Sequence, residues 1–417
     1  MKEDLLSVRE ALDVLLKKFQ PLGLEQEDIA TAYQRVMGED VRAEIDLPSF
    51  NNSSMDGFAV RSQDTVMAAQ TSPIELQVVA DIPAGSFPTG RLEAGQAMRI
   101  MTGAPLPEGA DAVIPIENTD FQFRNPEVTA PESVHIFQSS KPGDFIRPRG
   151  QDIHRGEVVL SAGKVLRAQE IGLLATLGFQ QVRVFRKPRV ALISTGDEIK
   201  PVGEKLTPGK IYDSNSYTLS ALVQQANGVP MHLGIVPDRY EAVKTTLDEA
   251  VNKHVDLIIS SAGVSVGAFD FVRQVVEAYG KLNFWRVKMR PGKPLTFGWY
   301  QDIPFIGLPG NPVSAFVGFQ VFIQPAMRRM LGLAGDGRVI RKAILAEAVE
   351  SDGRESYLRA IVSQAGGGLT ARLTGHQGSG NLRSLVQANA FLIIPSEVKS
   401  LPIGAEVDAW MIDEREF

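Results

Sequence analysis

Carboxylates and small residues gather where short apolar runs end in the second half of the chain. Asp197 and Glu198 follow the run at 190–193, Asp238 follows 232–236, and Asp270 comes soon after 257–259. Before Asp270 stands Ser260-Ser261-Ala262-Gly263-Val264-Ser265-Val266-Gly267, whose small side chains let backbone N–H groups approach an anion ahead of a helix. A fourth run ends in Leu308-Pro309-Gly310-Asn311-Pro312. Singly, each of these reads more simply as a tight turn or a helix cap. Four on one rim point instead to a site for a phosphate-bearing ligand, and carboxylates beside a phosphate need a divalent cation to offset their repulsion. Arg290-Pro291-Gly292-Lys293-Pro294, with Lys288 nearby, adds a compact basic point that reads equally well as a solvated charge cluster. Proline stands where a P-loop needs Ser or Thr, and no Gly-x-Gly-x-x-Gly follows a strand, so a P-loop NTPase and a dinucleotide dehydrogenase are disfavoured.

The elements that must hold these residues follow from periodicity. From Arg189 onward, short apolar strands alternate with helical patterns at 215–226 (ended by Gly228), 240–251, 271–279 and 313–330, as in βαβ units around a parallel sheet. Ligands bind outside the carboxyl ends of such strands, which is where the acids lie. At the N-terminus, Val8, Leu12, Leu15, Leu16 and Phe19 share a helical face, with Ser7 and Glu10 as a capping box and Pro21 as a stop. Residues 40–185 carry short β-like runs at 75–79, 97–101 and 112–116, broken by Pro and Gly, with one helix expected at 168–177. Beyond Gly332 the pattern returns to strands, at 342–349, 358–362, 390–394 and 406–412. The glycines 366–368 read as a hairpin turn.

Composition bounds the function. The 417 residues exceed what one core supports, and 44% hydrophobic with 22% charged residues is a globular balance. A net charge of -6 provides no general attraction for nucleic acid or an anionic membrane. The absence of cysteine excludes thiol catalysis, Fe–S clusters and Cys-type zinc sites, and His135, His154, His232, His254 and His376 are too scattered for a helical ligand pair. Neither a signal core nor a long apolar run stands out, so a soluble cytoplasmic protein is expected.

Several stretches taken together resemble the molybdopterin molybdenumtransferase family, of MoeA type, which includes the E domain of gephyrin. They are Pro48-Ser-Phe-Asn-Asn-Ser-Ser-Met55-Asp56-Gly57-Phe-Ala, Ile100-Met-Thr102-Gly103-Ala-Pro-Leu-Pro-Glu-Gly-Ala-Asp111-Ala-Val113, Arg149-Gly-Gln-Asp152-Ile, Ser194-Thr-Gly-Asp-Glu198, Gly263-Val-Ser-Val-Gly267, Pro291-Gly-Lys-Pro294 and Leu308-Pro-Gly-Asn-Pro312. They occur in family order across nearly the whole chain. The resemblance implies a multidomain α/β plus β protein. A composite N-terminal domain would span 1–47 and 143–185, an inserted β-rich domain 48–142, a molybdopterin-adenylyltransferase-like parallel-sheet α/β domain 186–331, and a C-terminal β-barrel-like domain 332–417. It also implies a homodimer whose active site lies between the α/β domain of one subunit and the inserted domain of the other.

The implied activity is a molybdopterin molybdotransferase of molybdenum cofactor biosynthesis, which inserts molybdate into adenylylated molybdopterin with Mg²⁺-dependent release of AMP. Implied partners are those two substrates, a second copy of the chain and the upstream molybdopterin adenylyltransferase. Carried over by position, Glu198, Asp238 and Asp270 fall on functional acids of the α/β domain, and Asp56, Thr102 and Asp152 on functional positions elsewhere. Asp238 and Asp270 would hold Mg²⁺. Ser194, Thr195, Gly196, Gly263, Ser265, Gly267, Pro309 and Asn311 would line the substrate, and Arg290 and Lys293 would hold molybdate or phosphate oxygens. Ala262 replaces a usual glycine, Ala268 a usual acid and Arg290 a usual lysine. Without the resemblance, Met55-Asp56-Gly57 reads as a turn whose aspartate bonds its own backbone, and Arg354, Arg359 and Arg383 read as solvated. A gephyrin-like scaffold and a tungstate-specific paralogue are the alternatives; persistence of Glu198, Asp238 and Asp270 favours the enzyme.

Overall fold

The computed structural model describes residues 5–121, 129–261 and 271–412. These form two compact units, one of residues 1–38, 163–167 and 182–417, the other of 39–162 and 168–181.

In the smaller unit a five-stranded sheet runs in the order Ala112–Pro115, Gly57–Val60, Gln96–Ile100, Ile74–Ile82, Ser133–Ile136. Gly57–Val60 and Ala112–Pro115 are buried along their whole length, because both sheet faces are covered. Phe58, Val60, Leu76 and Ile114 fill one side, and Ala59, Met98, Ile100 and Val113 fill the other. Gly57 is required by a close approach: a Cβ there would lie 2.0 Å from the Ile114 carbonyl oxygen.

The larger unit is built on a six-stranded sheet in the order Val229–Val236, Arg189–Thr195, Leu257–Ser261, Ile303–Leu308, Pro294–Tyr300, Gly280–Arg286. The first four strands are parallel and the last two antiparallel. Alternate residues of one strand feed two cores, as the two-residue period of a strand dictates. Val190 and Leu192 pack with Leu219, Leu222 and Val223 of the helix Asn215–Gln225. Ala191 and Ile193 pack with Val243 and Leu247 of Tyr240–Asn252 and with Val272, Val275 and Val276 of Phe271–Tyr279. The N-terminal helix Val8–Leu16 carries the expected capping box between Ser7 and Glu10 and buries Val8, Ala11 and Leu15 against the first of these cores.

Two features depart from the sequence expectation. The antiparallel strands Gly280–Arg286 and Pro294–Tyr300 have no counterpart in it, although Leu295, Phe297 and Trp299 alternate with Thr296 and Gly298. The helix Asn215–Gln225 is closed by Asn227 in the left-handed region (φ 61°), not by Gly228, whose N–H donates to the Val223 carbonyl as in a Schellman ending.

The C-terminal strands close on themselves. Glu355–Ala365, Gly368–Leu373, Val339–Leu345, Glu406–Met411 and Ala390–Ile394 form a ring in which the last pairs back to the first. Gly366 and Gly367, both at positive φ, make the two-residue hairpin between the first two. Among the described residues no helix is long and apolar enough to cross a membrane.

Candidate active site

In the larger unit, Ser194 and Thr195 end one central strand and Ser260 and Ser261 end its parallel neighbour, so these residues belong to the sheet rather than to the loops after it. All four are buried, and the Ser194 and Ser261 hydroxyls lie 3.2 Å apart. Among the described residues, Thr195 Oγ1 is buried without a hydrogen-bond partner, as is Oδ1 of Asn215 at the start of the following helix. An unpaired buried polar group costs roughly 1–3 kcal/mol, and a bound molecule that pairs it recovers the loss.

Gly196 turns the chain at φ 143°, and a Cβ there would meet the Glu198 carboxylate at 2.7 Å, so Glu198 folds back over the turn. The Asp197 carbonyl accepts from Lys210 Nζ at 2.7 Å, and its carboxylate takes a long, 3.4 Å bond from the Asp238 N–H. Asp238 is half-buried. Burial first, then the charges of Asp197 and Glu198, push its carboxyl above the ordinary carboxylate range. Three acids are thus crowded at the strand ends. Among the described residues no group of three or more side chains is arranged to hold a metal ion alone. The donor set still fits Mg²⁺, which is bound through one or two carboxylates together with substrate phosphate, and a cation would relieve the repulsion felt by Asp238. Asp270, Gly263, Ser265, Gly267 and the substitutions Ala262 and Ala268 lie outside the described residues.

The fourth strand end joins this rim. Asn215 Nδ2 donates to the Gly310 carbonyl at 2.8 Å. Pro309 is buried, and the exposed Asn311 starts the helix Pro312–Gly318 without spending its side chain on the cap. The Val313 N–H donates to the Ser379 carbonyl at 3.0 Å, tying this turn to a loop of the C-terminal domain.

That loop leads to a basic corner. Met289–Arg290 pairs in parallel with Glu355 and Ser356, which places Arg290 against the strand bearing Arg359; the Arg290–Pro291 peptide is cis. Lys293 is exposed, whereas Lys288 is ion-paired with Glu397 and so does not join the corner as its position in sequence suggests. Arg359 overturns the expectation of solvation: it is 1% exposed. Its Nε donates to Ser384 Oγ at 3.0 Å and its Nη2 to the Gly378 carbonyl at 3.0 Å, while its backbone N–H donates to Gln377 Oε1 at 2.9 Å. Burial first, then the Arg290 charge, lowers its pKa to about 10. A buried guanidinium beside a second one is suited to an oxyanion that satisfies both. The available signal was a lone arginine in the apolar stretch Tyr357-Leu358-Arg359-Ala360-Ile361-Val362. Arg354 is also not free: it pairs with Asp352 and donates through Nη1 to the Met289 carbonyl at 3.1 Å; Arg383 is exposed as expected.

In the smaller unit, the Asp56 carboxylate accepts hydrogen bonds from the Thr102 N–H and hydroxyl, so it bonds across to the second motif. Asp152 is exposed, and its N–H donates to the Leu47 carbonyl. Beside it Arg149 pairs with Asp46 at 2.6 Å, and its N–H donates to Asn51 Oδ1 at 2.8 Å. Among the described residues, Asn52 keeps a buried Oδ1 without a partner.

Comparison with known proteins matches three family models in series. They are described as the MoeA N-terminal region (domain I and II) over residues 6–178, a probable molybdopterin binding domain over 191–329, and the MoeA C-terminal region (domain IV) over 342–412. The chain is 38% identical to a molybdopterin molybdenumtransferase of a Nostoc species, covering 96% of this chain and 92% of that protein. It is 36% identical to the protein of that name in Bacillus subtilis, covering 91% and 88%. The crystal structure of a molybdopterin biosynthesis MoeA protein from Pyrococcus horikoshii superposes with a TM-score of 0.84 at 33% identity, covering 98% of this chain and all of that one.

Proposed function

The chain belongs to the molybdopterin molybdenumtransferase family, transferases of molybdenum cofactor biosynthesis, and from that premise we propose that it inserts molybdate into adenylylated molybdopterin with Mg²⁺-dependent release of AMP. The observation that carries this reading is a pair of corners within one unit, one acidic and one basic. Acids crowd at the strand ends around Asp238, and guanidinium groups crowd at Arg290 and Arg359. The first suits a cation shared with a pyrophosphate, and the second suits a tetrahedral dianion such as molybdate.

In this reading Asp238, together with Asp270, holds Mg²⁺, which when bound neutralises phosphate charge. Thr195 Oγ1 and Asn215 Oδ1 gain the substrate as a partner, while Ser194, Gly196, Gly263, Ser265, Gly267, Pro309 and Asn311 line it. Arg290 and Lys293 orient molybdate, with Arg359 behind them. With no cysteine in the chain and no histidine assigned to this machinery, the attacking oxygen is molybdate's own. It bonds to the phosphorus that molybdopterin carries as the bond from that phosphorus to AMP breaks; the phosphate then keeps that oxygen while molybdenum passes to the two dithiol sulfurs, whose protons leave with one of the remaining molybdate oxygens as water. Glu198 positions water or takes up a proton, and Asp56, Thr102 and Asp152 complete the substrate contacts. The working form is a homodimer in which two chains together supply each site, and the substrate is supplied by an adenylyltransferase.

The test is release of AMP from purified adenylylated molybdopterin. Molybdate with Mg²⁺ should trigger release, and Mg²⁺ alone should leave the substrate largely intact. Equal rates with and without molybdate would show direct activation of water and overturn the coupling.

A further inference from the structure

Arg359 stands where two strands of the C-terminal ring part. Leu358, Ala360 and Val362 fill the core of that ring, so by strand alternation Arg359 lies on the opposite face, with Tyr357. Between Glu355–Ala365 and Gly368–Leu373 the pairing ends at Ala360 with Leu373. One step further only half of the ladder is backbone, the Thr374 N–H donating to the Arg359 carbonyl at 3.1 Å. A side chain supplies the other half. Gln377 Oε1 accepts from the Arg359 N–H at 2.9 Å, and Gln377 Nε2 donates to the Arg359 and Gly375 carbonyls, each at 3.1 Å. A side-chain amide carries the donor and acceptor of a peptide unit, so it can stand in for the missing strand.

The tie runs in both directions. While Gln377 holds the Arg359 main chain, the carbonyls of its two neighbours, His376 and Gly378, accept from Arg359 Nη2 at 3.4 Å and 3.0 Å. Ser384 Oγ accepts from Nε at 3.0 Å and donates its own proton to the Asn381 carbonyl at 2.7 Å. The Val313 N–H, on the Ser379 carbonyl, fastens the same loop to the α/β domain. The Nε and Nη2 edge of the guanidinium is thus taken, and among the described residues Nη1 makes no hydrogen bond. A cation already held in one orientation loses little freedom when a ligand arrives.

We propose that Gln377 is a positioning residue for the oxyanion: its clasp on the Arg359 main chain seats the flanking carbonyls on the guanidinium and keeps Nη1 in place for molybdate. The proposal rests on the oxyanion corner read above and adds what holds that corner ready.

The test uses the full-length protein. Gln377→Met keeps the length of the side chain and removes both bonds, while Gln377→Asn keeps the amide and shortens its reach. Each should raise the Kd for molybdate in calorimetry, and its KM in AMP release, about tenfold, the scale of one preorganised contact. The KM for the adenylylated substrate and kcat at saturating molybdate should hold. Calorimetric stoichiometry counts the binding-competent chains, so a partly unfolded fraction does not imitate the effect. Equal losses for both substrates, or a lower melting temperature with molybdate affinity intact, would make Gln377 a structural tie and overturn the inference. Arg359→Met separates this from the reading beneath it. Molybdate affinity that falls in Arg359→Met but in neither Gln377 variant overturns the positioning role alone, whereas affinity intact in all three removes the oxyanion corner and the inference with it.

Discussion

The Asp56 carboxylate accepts two hydrogen bonds from Thr102, 46 positions further along the chain, one from its N–H at 2.8 Å and one from its hydroxyl at 2.7 Å. The two longest family motifs therefore meet at one carboxylate. Asp56 is half-buried and Thr102 exposed, a location where a clip between loops and a group that serves the substrate both fit. Substitution separates these roles. Asp56→Asn keeps an acceptor for the Thr102 N–H and removes the charge, and Asp56→Ala removes both. If the charge serves the substrate, both variants lose at least about tenfold in turnover while stability moves by no more than about 1 kcal/mol. A fall in melting temperature that tracks the loss of activity would identify the pair as a clip.

The raised carboxyl of Asp238 makes stability depend on pH, and the proposed cation site would make it depend on Mg²⁺ as well. Its folded pKa is raised by burial and by Asp197 and Glu198. The folded state thus holds this proton more tightly than the unfolded state, a contribution fully present below the usual aspartate value near 3.9 and lost as pH rises through the folded value. At neutral pH a cation offsets the repulsion. Mg²⁺ should therefore raise the melting temperature at pH 7 and have little effect near pH 4. Asp238→Asn should match or exceed the wild-type melting temperature without Mg²⁺ and lose the Mg²⁺ increment. An undiminished increment in that variant would remove Asp238 from the cation site.

The two arginines of the basic corner should respond differently. Arg359→Met leaves the Ser384 hydroxyl and the Gly378 carbonyl without their donor, so it should cost about 1–3 kcal/mol as well as oxyanion binding. Arg290→Ala removes a half-buried charge that repels Arg359. It should weaken molybdate binding in calorimetry about tenfold or more with little change in melting temperature. Molybdate binding retained in both variants would move the oxyanion site elsewhere.

Mixing tests the proposed homodimer. Asp56→Ala and Asp238→Ala chains, each inactive alone, should recover part of the wild-type turnover once subunits exchange. A stable monomer with full activity in a dilution series would contradict that proposal.

What the sequence determined by itself is the set of local features whose causes lie within a few residues. The Ser7 and Glu10 box, the buried apolar run from Val190 to Ile193, and the Gly366-Gly367 turn all stand in the structure as their spacing predicts. The acids at the strand ends were legible for the same reason: where a buried strand stops, the next residues reach the rim of the sheet. Tertiary structure decided whatever depends on partners far along the chain. Gly280–Arg286 and Pro294–Tyr300 are strands because they pair with each other and, through the second, with Ile303–Leu308. Arg359 is buried because Ser384 and the 376–378 loop supply acceptors that no local pattern announces. The crowding that raises the Asp238 pKa and the bond between Asp56 and Thr102 have the same origin. Periodicity reports which face of an element is apolar, while hydrogen bonding and charge depend on distances that only the packed chain defines.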